Sequence, residues 1–306
     1  MLLGRRAFMS LKTQVSYKFK CLLTRISPEL NTKILYRVKF GKRLDLNNPK
    51  TLNEKILWLK FNTYWKNPLV KQCADKYQVR DYIEKSGCGC LLNELIGAYK
   101  TPEEIEWNKL PNSFALKLNV GCGRNYIVVD KQKEDFPKLI SIIHQWLEDA
   151  PKLYIPYSEM QYKDVEPVVI IEKYLGGPNG ELPEDYKFYC INGKCRMIMF
   201  CNERGYDGHG AKYYYVDRDW NMIANTAGRS IVPVEKPASL DRAIEFAEIL
   251  SRPFPFVRVD FYLQQNKIIF GELTFTPAAG MDIDFTMVPL GKDNDIDTIF
   301  GNLLSV

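Results

Sequence analysis

The chain is poor in histidine. Of its 306 residues only His144 and His209 are histidines. That excludes a histidine-rich metal centre and leaves histidine acid–base chemistry with two candidates at most. Cysteine is present but unorganised. The eight cysteines are scattered, and none forms a C-x-x-C pair. Cys88 and Cys90 are too close for a usual zinc knuckle and have no second pair to work with. The N-terminus carries Arg5 and Arg6 without the apolar core and small-residue cleavage site of a secretory signal. The cysteines are therefore expected to be reduced and mostly buried, in a cytoplasmic protein. No apolar run approaches the roughly 20 residues that a membrane-spanning helix needs. A P-loop, G-x-x-x-x-G-K-[ST], is also absent.

Acidic residues are missing from one end. Residues 1–44 hold eleven Lys/Arg and a single acid, Glu29, so they carry +10, while the whole chain carries +5. Within this arm Phe8, Leu11, Val15, Phe19, Leu22 and Ile26 recur at helical spacing. Lys12, Lys18, Lys20 and Arg25 lie around that stripe. Such a helix usually packs on its own domain with a solvated basic face. The other reading is an anionic membrane surface or an acidic partner. Nucleic acid is not expected, because the arm lacks the interleaved basic and aromatic pattern of a strand-binding surface.

The rest has ordinary composition, and its length suits two or three lobes. Thr51 precedes Glu54 by three, a capping box opening a helix. A second helix is expected over residues 69–86, ending at Gly87 and carrying Lys76 and Arg80 one turn apart. Residues 114–120 read as a strand that runs into Gly121-Cys122-Gly123-Arg124-Asn125 and then a second strand at 126–129. Residues 133–150 are helical, with His144 beside the apolar stripe as a surface or structural residue. Residues 167–175, P-V-V-I-I-E-K-Y-L, form a buried strand closed by a glycine break. Residues 186–191 and 194–201 flank Asn192-Gly193, a type I′ hairpin signal. The segment 203–221, with Tyr206, His209, Tyr213, Tyr214 and Tyr215, is a long hairpin loop or lid. It either offers rings to a sugar or packs on itself. A helix over 240–251, capped by Ser239, leads into a last hairpin. The regular strand–helix alternation of a doubly wound sheet is missing, so the fold class is α+β, or mixed α/β.

That last hairpin, V-R-V-D-F-Y-L then I-I-F-G-E-L-T-F-T-P, carries the strongest chemical signal. Side chains alternate faces along a strand, so Arg258 and Asp260 share one face, and Glu272 and Thr274 share one. A carboxylate in the middle of each apolar strand is costly unless something pairs with it. A divalent cation is one such partner, and Mg²⁺ favours one or two carboxylates plus phosphate oxygens. Two even-numbered turns, of two or four residues, would set Asp260 opposite Gly271. Only an odd loop such as Gln265-Asn266-Lys267, or a bulge, sets Asp260 beside Glu272. The complement to a metal is phosphate. Lys117 in an apolar strand before the Gly121–Gly123 loop suits it, since glycines let backbone N–H groups approach and lysine adds a point charge. The exit at Glu172-Lys173-Tyr174-Leu175 can offer backbone groups to an adenine edge.

In this order, Lys76, Lys117 with its glycine loop, E-K-Y-L at 172–175, R-V-D at 258–260 and G-E-L-T-F-T-P at 271–277 resemble the ATP-grasp superfamily, with D-alanine–D-alanine ligases as the comparison. L-N-N-P-K-T-L-N-E-K-I-L-W-L-K and A-D-K-Y-Q-V-R-D-Y more closely resemble its TupA-like subfamily, of teichuronopeptide and surface-polysaccharide biosynthesis. The resemblance spans about residues 40–290. It implies an ATP-grasp fold with ATP between two antiparallel-sheet lobes, and four regions: the basic arm 1–44, an N-terminal lobe 45–110, a central ATP-binding lobe 111–175 and a C-terminal lobe 176–306 holding the Mg²⁺ and substrate site. It implies that Lys76 and Lys117 hold the α/β-phosphates and that the loop Gly121–Asn125, with Gly121 and Gly123, closes over the β/γ-phosphates. Glu172 and the Lys173 and Leu175 backbones would bind adenine, and Asp185 the ribose. Asp260 and Glu272 would hold Mg²⁺, with Arg258 stabilising the transferring phosphoryl group. Where those ligases place a metal-binding Asn two residues after the glutamate, this chain has Thr274, whose hydroxyl would take that metal position weakly, directly or through water. Lys187 and Arg204 are further candidates to bind phosphate or carboxylate. The implied activity is carboxylate–amine ligation through an acyl phosphate, with a small or glycan carboxylate and an amine as substrates. A sugar kinase and a glycosyltransferase of the same pathway are the alternatives.

Overall fold

The computed structural model describes residues 11–177, 183–202, 212–225, 235–264, 267–289 and 291–306. Helices α1 (Leu11–Ile26), α2 (Pro28–Phe40), α3 (Leu52–Asn62), α4 (Pro68–Ala74) and α5 (Val79–Lys85) come first. The capping box is formed: the Thr51 side chain accepts from the Glu54 N–H, and the Glu54 carboxylate accepts from the Thr51 N–H.

The single helix expected over 69–86 is instead two. Asp75 breaks it with extended backbone, and its carboxylate accepts from the N–H groups of Tyr77 and Gln78. A short acidic side chain that captures nearby backbone donors competes with helical hydrogen bonding. Lys76 therefore sits in the break rather than on a helix, and its own N–H donates to the Asn119 carbonyl.

A small antiparallel sheet holds β1 (Leu95–Tyr99), β2 (Phe114–Leu118), β3 (Asn125–Val128) and β4 (Val169–Lys173) in the order β1-β4-β2-β3. Helix α6 (Phe136–Asp149) buries Leu139 and Ile143 in its core. The larger sheet is also antiparallel. It runs β10-β9-β5-β6-β7-β8, built from β5 (Asp185–Ile191), β6 (Lys194–Asn202), β7 (Lys212–Val216), β8 (Met222–Asn225), β9 (Phe256–Gln264) and β10 (Lys267–Thr274). Asn192 and Gly193 both take positive φ, 52° and 72°, as a type I′ turn demands. Helix α7 (Leu240–Ser251) packs on β5, β6 and β9, and α8 (Ile296–Gly301) packs on α3. Ser239 precedes α7 but makes no side-chain cap bond.

Residues 45–91 have no separate core. Leu52, Ile56, Tyr64, Val70 and Ile83 join Phe188, Val259 and Phe275 in one apolar cluster with the large sheet. Full burial of each such aliphatic side chain is worth about 1.5–3 kcal/mol. The chain's first third is thereby fastened to its last.

The basic arm is docked, but not by its apolar stripe. The Thr24 hydroxyl bonds the Ile155 carbonyl and Ser158, and Asn31 reaches Pro156 and Ser158. Phe19, Leu22 and Ile26 face away, 54%, 54% and 68% exposed. The expectation that this stripe packs on its own domain is overturned here, because buried polar groups on the opposite face make the attachment. Phe8 and the side chains of Leu11 and Val15 lie outside the described residues, as do Arg204, Tyr206 and His209. Tyr214 and Tyr215 are buried in the large sheet, with Tyr214 stacked on Phe200, so they are core rather than a sugar platform.

Candidate active site

In the last hairpin, Gln264 pairs with Lys267, so an even number of residues separates the paired strands, and those two, 265 and 266, lie outside the described residues. Phe261 then pairs with Phe270, the register shifts, and Asp260 pairs with Glu272. The extra residue is Gly271. A Cβ there would lie 3.0 Å from the Asp260 carbonyl oxygen, which is why glycine occupies the bulge. One bulged residue thus turns two separated carboxylates into cross-strand neighbours.

Cations converge on them. Arg258 Nε donates to Asp260 Oδ1 at 2.7 Å and Arg258 Nη2 to Asp260 Oδ2 at 2.6 Å, a bidentate pair. Arg258 Nη2 also reaches Glu272 Oε1 at 3.3 Å and Thr274 Oγ1 at 3.1 Å. Lys187 Nζ donates to Asp260 Oδ2 at 3.1 Å and also to Asp185. Lys76 Nζ stands 3.7 Å from Glu272 Oε2. Burial alone would raise the Glu272 carboxyl, but Lys76, Arg258 and Lys187 hold it down at about 2. Burial pushes the Asp260 carboxyl up, and Arg258 and Lys187 pull against that push. Burial would likewise lower the Lys187 ammonium, but Asp260 and Asp185 raise it above its ordinary value.

The small sheet supplies the facing wall. Lys117 Nζ donates to Glu172 Oε2 at 2.7 Å, and Arg80 Nη1 lies 3.4 Å from Glu172 Oε1. Burial works against the Lys117 charge, but the Glu172 carboxylate keeps the ammonium above its ordinary pKa. Lys76 Nζ donates to the Gly121 carbonyl at 2.7 Å. Gly121 and Gly123 take φ of 75° and 72°, the left-handed region that side chains other than glycine's rarely adopt. Asn119 anchors this corner by donating to Asp75 Oδ2 and the Glu166 carbonyl.

Between the sheets lies a cavity of about 260 Å³. Lys76, Lys117, Gly121, Gly123, Lys173, Leu175, Asp185, Lys187, Asp260 and Glu272 all border it. All ten were singled out from sequence as phosphate, carboxylate, base, ribose or metal contacts, and they come from both sheets and the loops beside them. Arg258 and Thr274 sit one pleat farther along, behind Asp260 and Glu272. Glu172 is not at the cavity wall, and both its oxygens are engaged by Lys117 and Arg80, so its contacts are those of a partner for Lys117. At the strand exit, the Lys173 N–H goes to the Glu94 carbonyl, while the Lys173 and Leu175 carbonyls accept from Asn93 and Gln264. Tyr262 also borders the cavity, beside Lys117.

The donor set suits a nucleotide with one divalent cation. Two adjacent carboxylates bonded by cations, with Lys76, Lys117 and Lys187 bordering the same cavity, match a hard cation bridged to phosphate oxygens. Among the described residues no three His, Cys, Asp or Glu side chains converge as a metal site.

Sequence reading missed three positioning groups. Asp75 and Asn119 fix Lys76 through a contact spanning 44 residues. Arg80 shares Glu172 with Lys117. Lys60, fully buried on α3, donates to the Tyr157 and Ala279 carbonyls. It pins the loop after β10, where Ala278 and Ala279 both take positive φ, 47° and 61°. Burial brings the Lys60 ammonium down to about 8, against the opposing pull of Glu159. Adjacent acids or helical spacing signal the first two, and nothing local signals the third.

Among protein families, the one described as TupA-like ATPgrasp matches residues 54–304. The chain belongs to that family. No curated protein matches closely enough to count as a relative. Solved structures it is similar to include D-alanine–D-alanine ligase from Bacillus anthracis, at 20% identity over 69% of this chain and 59% of that one, TM-score 0.41. Another is L-amino acid ligase from Bacillus licheniformis, at 13% identity over 77% of this chain and 51% of that one, TM-score 0.47. The chain thus spans between half and three-fifths of the length of these two. The ATP-grasp ligase PsnB complexed with its minimal precursor is similar at 12% identity over 95% of this chain and 73% of that one, TM-score 0.42.

Proposed function

From its place in the TupA-like ATP-grasp family, we propose that this protein is an ATP- and Mg²⁺-dependent ligase joining a carboxylate to an amine. The observation that carries the reading is a cavity walled by two sheets, with Lys76, Lys117 and Lys187 around the cross-strand pair Asp260 and Glu272. A substrate carboxylate oxygen attacks the γ-phosphorus and displaces ADP, giving an acyl phosphate. The amine nitrogen then attacks the acyl carbon, loses a proton, and phosphate leaves as the amide forms.

Mg²⁺, when held by Asp260 and Glu272, supplies neutralisation of phosphate charge. The protein's own groups position and balance charge, which is most of what phosphoryl transfer requires. Lys76 and Lys117 hold the α/β-phosphates, and Lys76 ties the Gly121 carbonyl to that position. Glu172 and Arg80 hold Lys117 in place. Gly121 and Gly123 let the loop approach the β/γ-phosphates. The 173–175 strand exit and Tyr262 enclose the base, and Asp185 takes the ribose. Arg258, which lies behind the two acids rather than on the cavity wall, acts on the charge of the transferring group only through them. No nucleophilic side chain is needed, which fits a chain with two histidines.

The carboxylate belongs, in this reading, to a bacterial surface polysaccharide or its precursor, and the amine to an amino acid or simple amine. The subfamily resemblance supports that substrate class. The outward ridge of Phe19, Leu22 and Ile26 beside Lys18 and Arg25 supports a peripheral position at the inner face of the membrane. No helix of the described residues is long and apolar enough to cross one. The test is ADP release on mixing the protein with Mg·ATP, a uronate and an amino acid, with the amide identified by mass. Release that depends on a sugar hydroxyl and needs no carboxylate would overturn the ligase reading in favour of a kinase.

A further inference from the structure

Resting on the reading that Asp260 and Glu272 hold the metal, we propose that the site takes a single divalent cation and that the Arg258 guanidinium fills the place of a second. Arg258 Nη2 lies 2.6 Å from Asp260 Oδ2, 3.3 Å from Glu272 Oε1 and 3.1 Å from Thr274 Oγ1. Those are atoms of the three residues that the sequence assigns to metal. One guanidinium nitrogen thus occupies the centre of that set.

Thr274 completes the arrangement. Its hydroxyl accepts from Arg258 and donates to Glu272 Oε1 at 3.1 Å, so its proton and one lone pair are already used. A hydroxyl can do both. An asparagine carries acceptor and donor on two separate atoms, Oδ1 and Nδ2, whereas the threonine hydroxyl serves both partners from one oxygen. With its proton engaged by Glu272 and one lone pair by Arg258, the neutral Thr274 oxygen has a single lone pair left for a metal ion.

Two kinds of cation surround the carboxylates, and they differ in freedom. Arg258 is pinned by a two-bond fork on Asp260, its side chain is 13% exposed, and a guanidinium does not give up its charge. A divalent ion bound to Glu272 Oε1 and Thr274 would sit against that fixed positive charge. Lys187 and Lys76 are flexible point charges at the cavity wall. Lys187 holds Asp185 as well as Asp260, and Lys76 stands 3.7 Å from Glu272 Oε2. Both lysines can turn to phosphate oxygens, leaving Glu272 Oε2 and the second lone pair of Asp260 Oδ2, which Arg258 still binds, to one cation. The geometry opens the cavity side of the pair and closes the side behind it.

The experiment uses the full chain, Mn²⁺ and the non-hydrolysable analogue AMP-PNP, read by electron paramagnetic resonance. Two Mn²⁺ ions sharing a carboxylate lie about 3.5–4 Å apart and give a spin-coupled spectrum. The expected wild-type result is one tightly held Mn²⁺ per chain with an uncoupled spectrum. Two coupled ions would overturn the inference while leaving the proposed function intact. No protein-held Mn²⁺ in the presence of AMP-PNP would overturn both. Arg258→Gln removes the fixed charge and is expected to admit a second, coupled ion. A folded Arg258→Gln protein that still holds a single uncoupled Mn²⁺ would show that the guanidinium is not what fills the second place. Thr274→Asn, which keeps the arginine, is expected to stay uncoupled.

Discussion

The two walls of the cavity both carry a buried carboxylate bound by two cations, and they use it in opposite senses. On the small sheet, Glu172 lies off the cavity wall, and its two oxygens serve Lys117 and Arg80. There the acid holds the bases in place, and the lysine is what faces the cavity. On the large sheet, Asp260 and Glu272 border the cavity themselves, and Arg258, Lys187 and Lys76 stabilise them. There the bases hold the acids in place. The difference teaches that a buried ion pair acquires its function from which member reaches the cavity, since both walls have the same residue types at similar distances.

The most severe break in that contrast is Asp260→Asn. It removes a carboxylate proposed to hold the metal, takes from Arg258 its bidentate partner and leaves Lys187 with Asp185 alone. ADP release is expected to fall by about 10³-fold or more. Unfolding in urea is expected at lower concentration by the equivalent of about 3–5 kcal/mol, the usual cost of breaking one side of a buried pair. Glu172→Gln should act more gently and on one wall alone. KM for ATP is expected to rise about tenfold, as Lys117 loses a charged hydrogen bond worth about 1.5–3 kcal/mol, with Mn²⁺ affinity unchanged. A large fall in Mn²⁺ affinity in that variant would merge the two walls into one electrostatic unit.

Acid sharpens the same contrast. The Glu272 carboxyl sits at about 2 in the folded protein, below the usual glutamate value near 4.3. Between those values the unfolded chain binds more protons, so the stability this group contributes is complete above the upper value and lost as pH falls toward the lower one. Glu272→Gln is expected to lack that part of the acid limb in pH-dependent denaturation. The smallest effect concerns a cation away from the cavity. Lys60 sits at about 8 when folded, below the usual lysine value near 10.4. Here too the unfolded chain binds more protons in between, so stability rises as pH climbs through that window. Lys60→Met should lose that rise, while also leaving the Tyr157 and Ala279 carbonyls without their donor.

What was legible in the sequence was local or periodic. Thr51 and Glu54 are three residues apart, and Asn192-Gly193 is a dipeptide, so cap and turn were readable from neighbours alone. Arg258, Asp260, Glu272 and Thr274 alternate on two short strands, and strand parity sufficed to pose the register question. The break at Asp75 was missed because helical periodicity continues through it, and only the side-chain bonds to Tyr77 and Gln78 reveal the competition. Lys60 was missed because its partners lie 97 and 219 residues away. Helical spacing in the basic arm identified the ridge of Phe19, Leu22 and Ile26, but spacing does not say on which side the neighbour lies. Buried hydroxyls and amides at Thr24, Asn31 and Ser158 decided that.

The bulge at Gly271 has a consequence for how such a site can vary. With it in place, Asp260 and Glu272 meet across a turn of two residues, and a turn of four would carry the pair unchanged. What fixes the faces is the Gln264–Lys267 pair, and a tip that changes length while keeping that pair leaves Asp260 beside Glu272. Deleting Gly271 at the same tip would also keep Phe261 opposite Phe270 and Asp260 opposite Glu272, now as a regular ladder. The bulge takes up one residue of slack in the chain, and the hairpin should tolerate its removal better than its replacement by a larger residue.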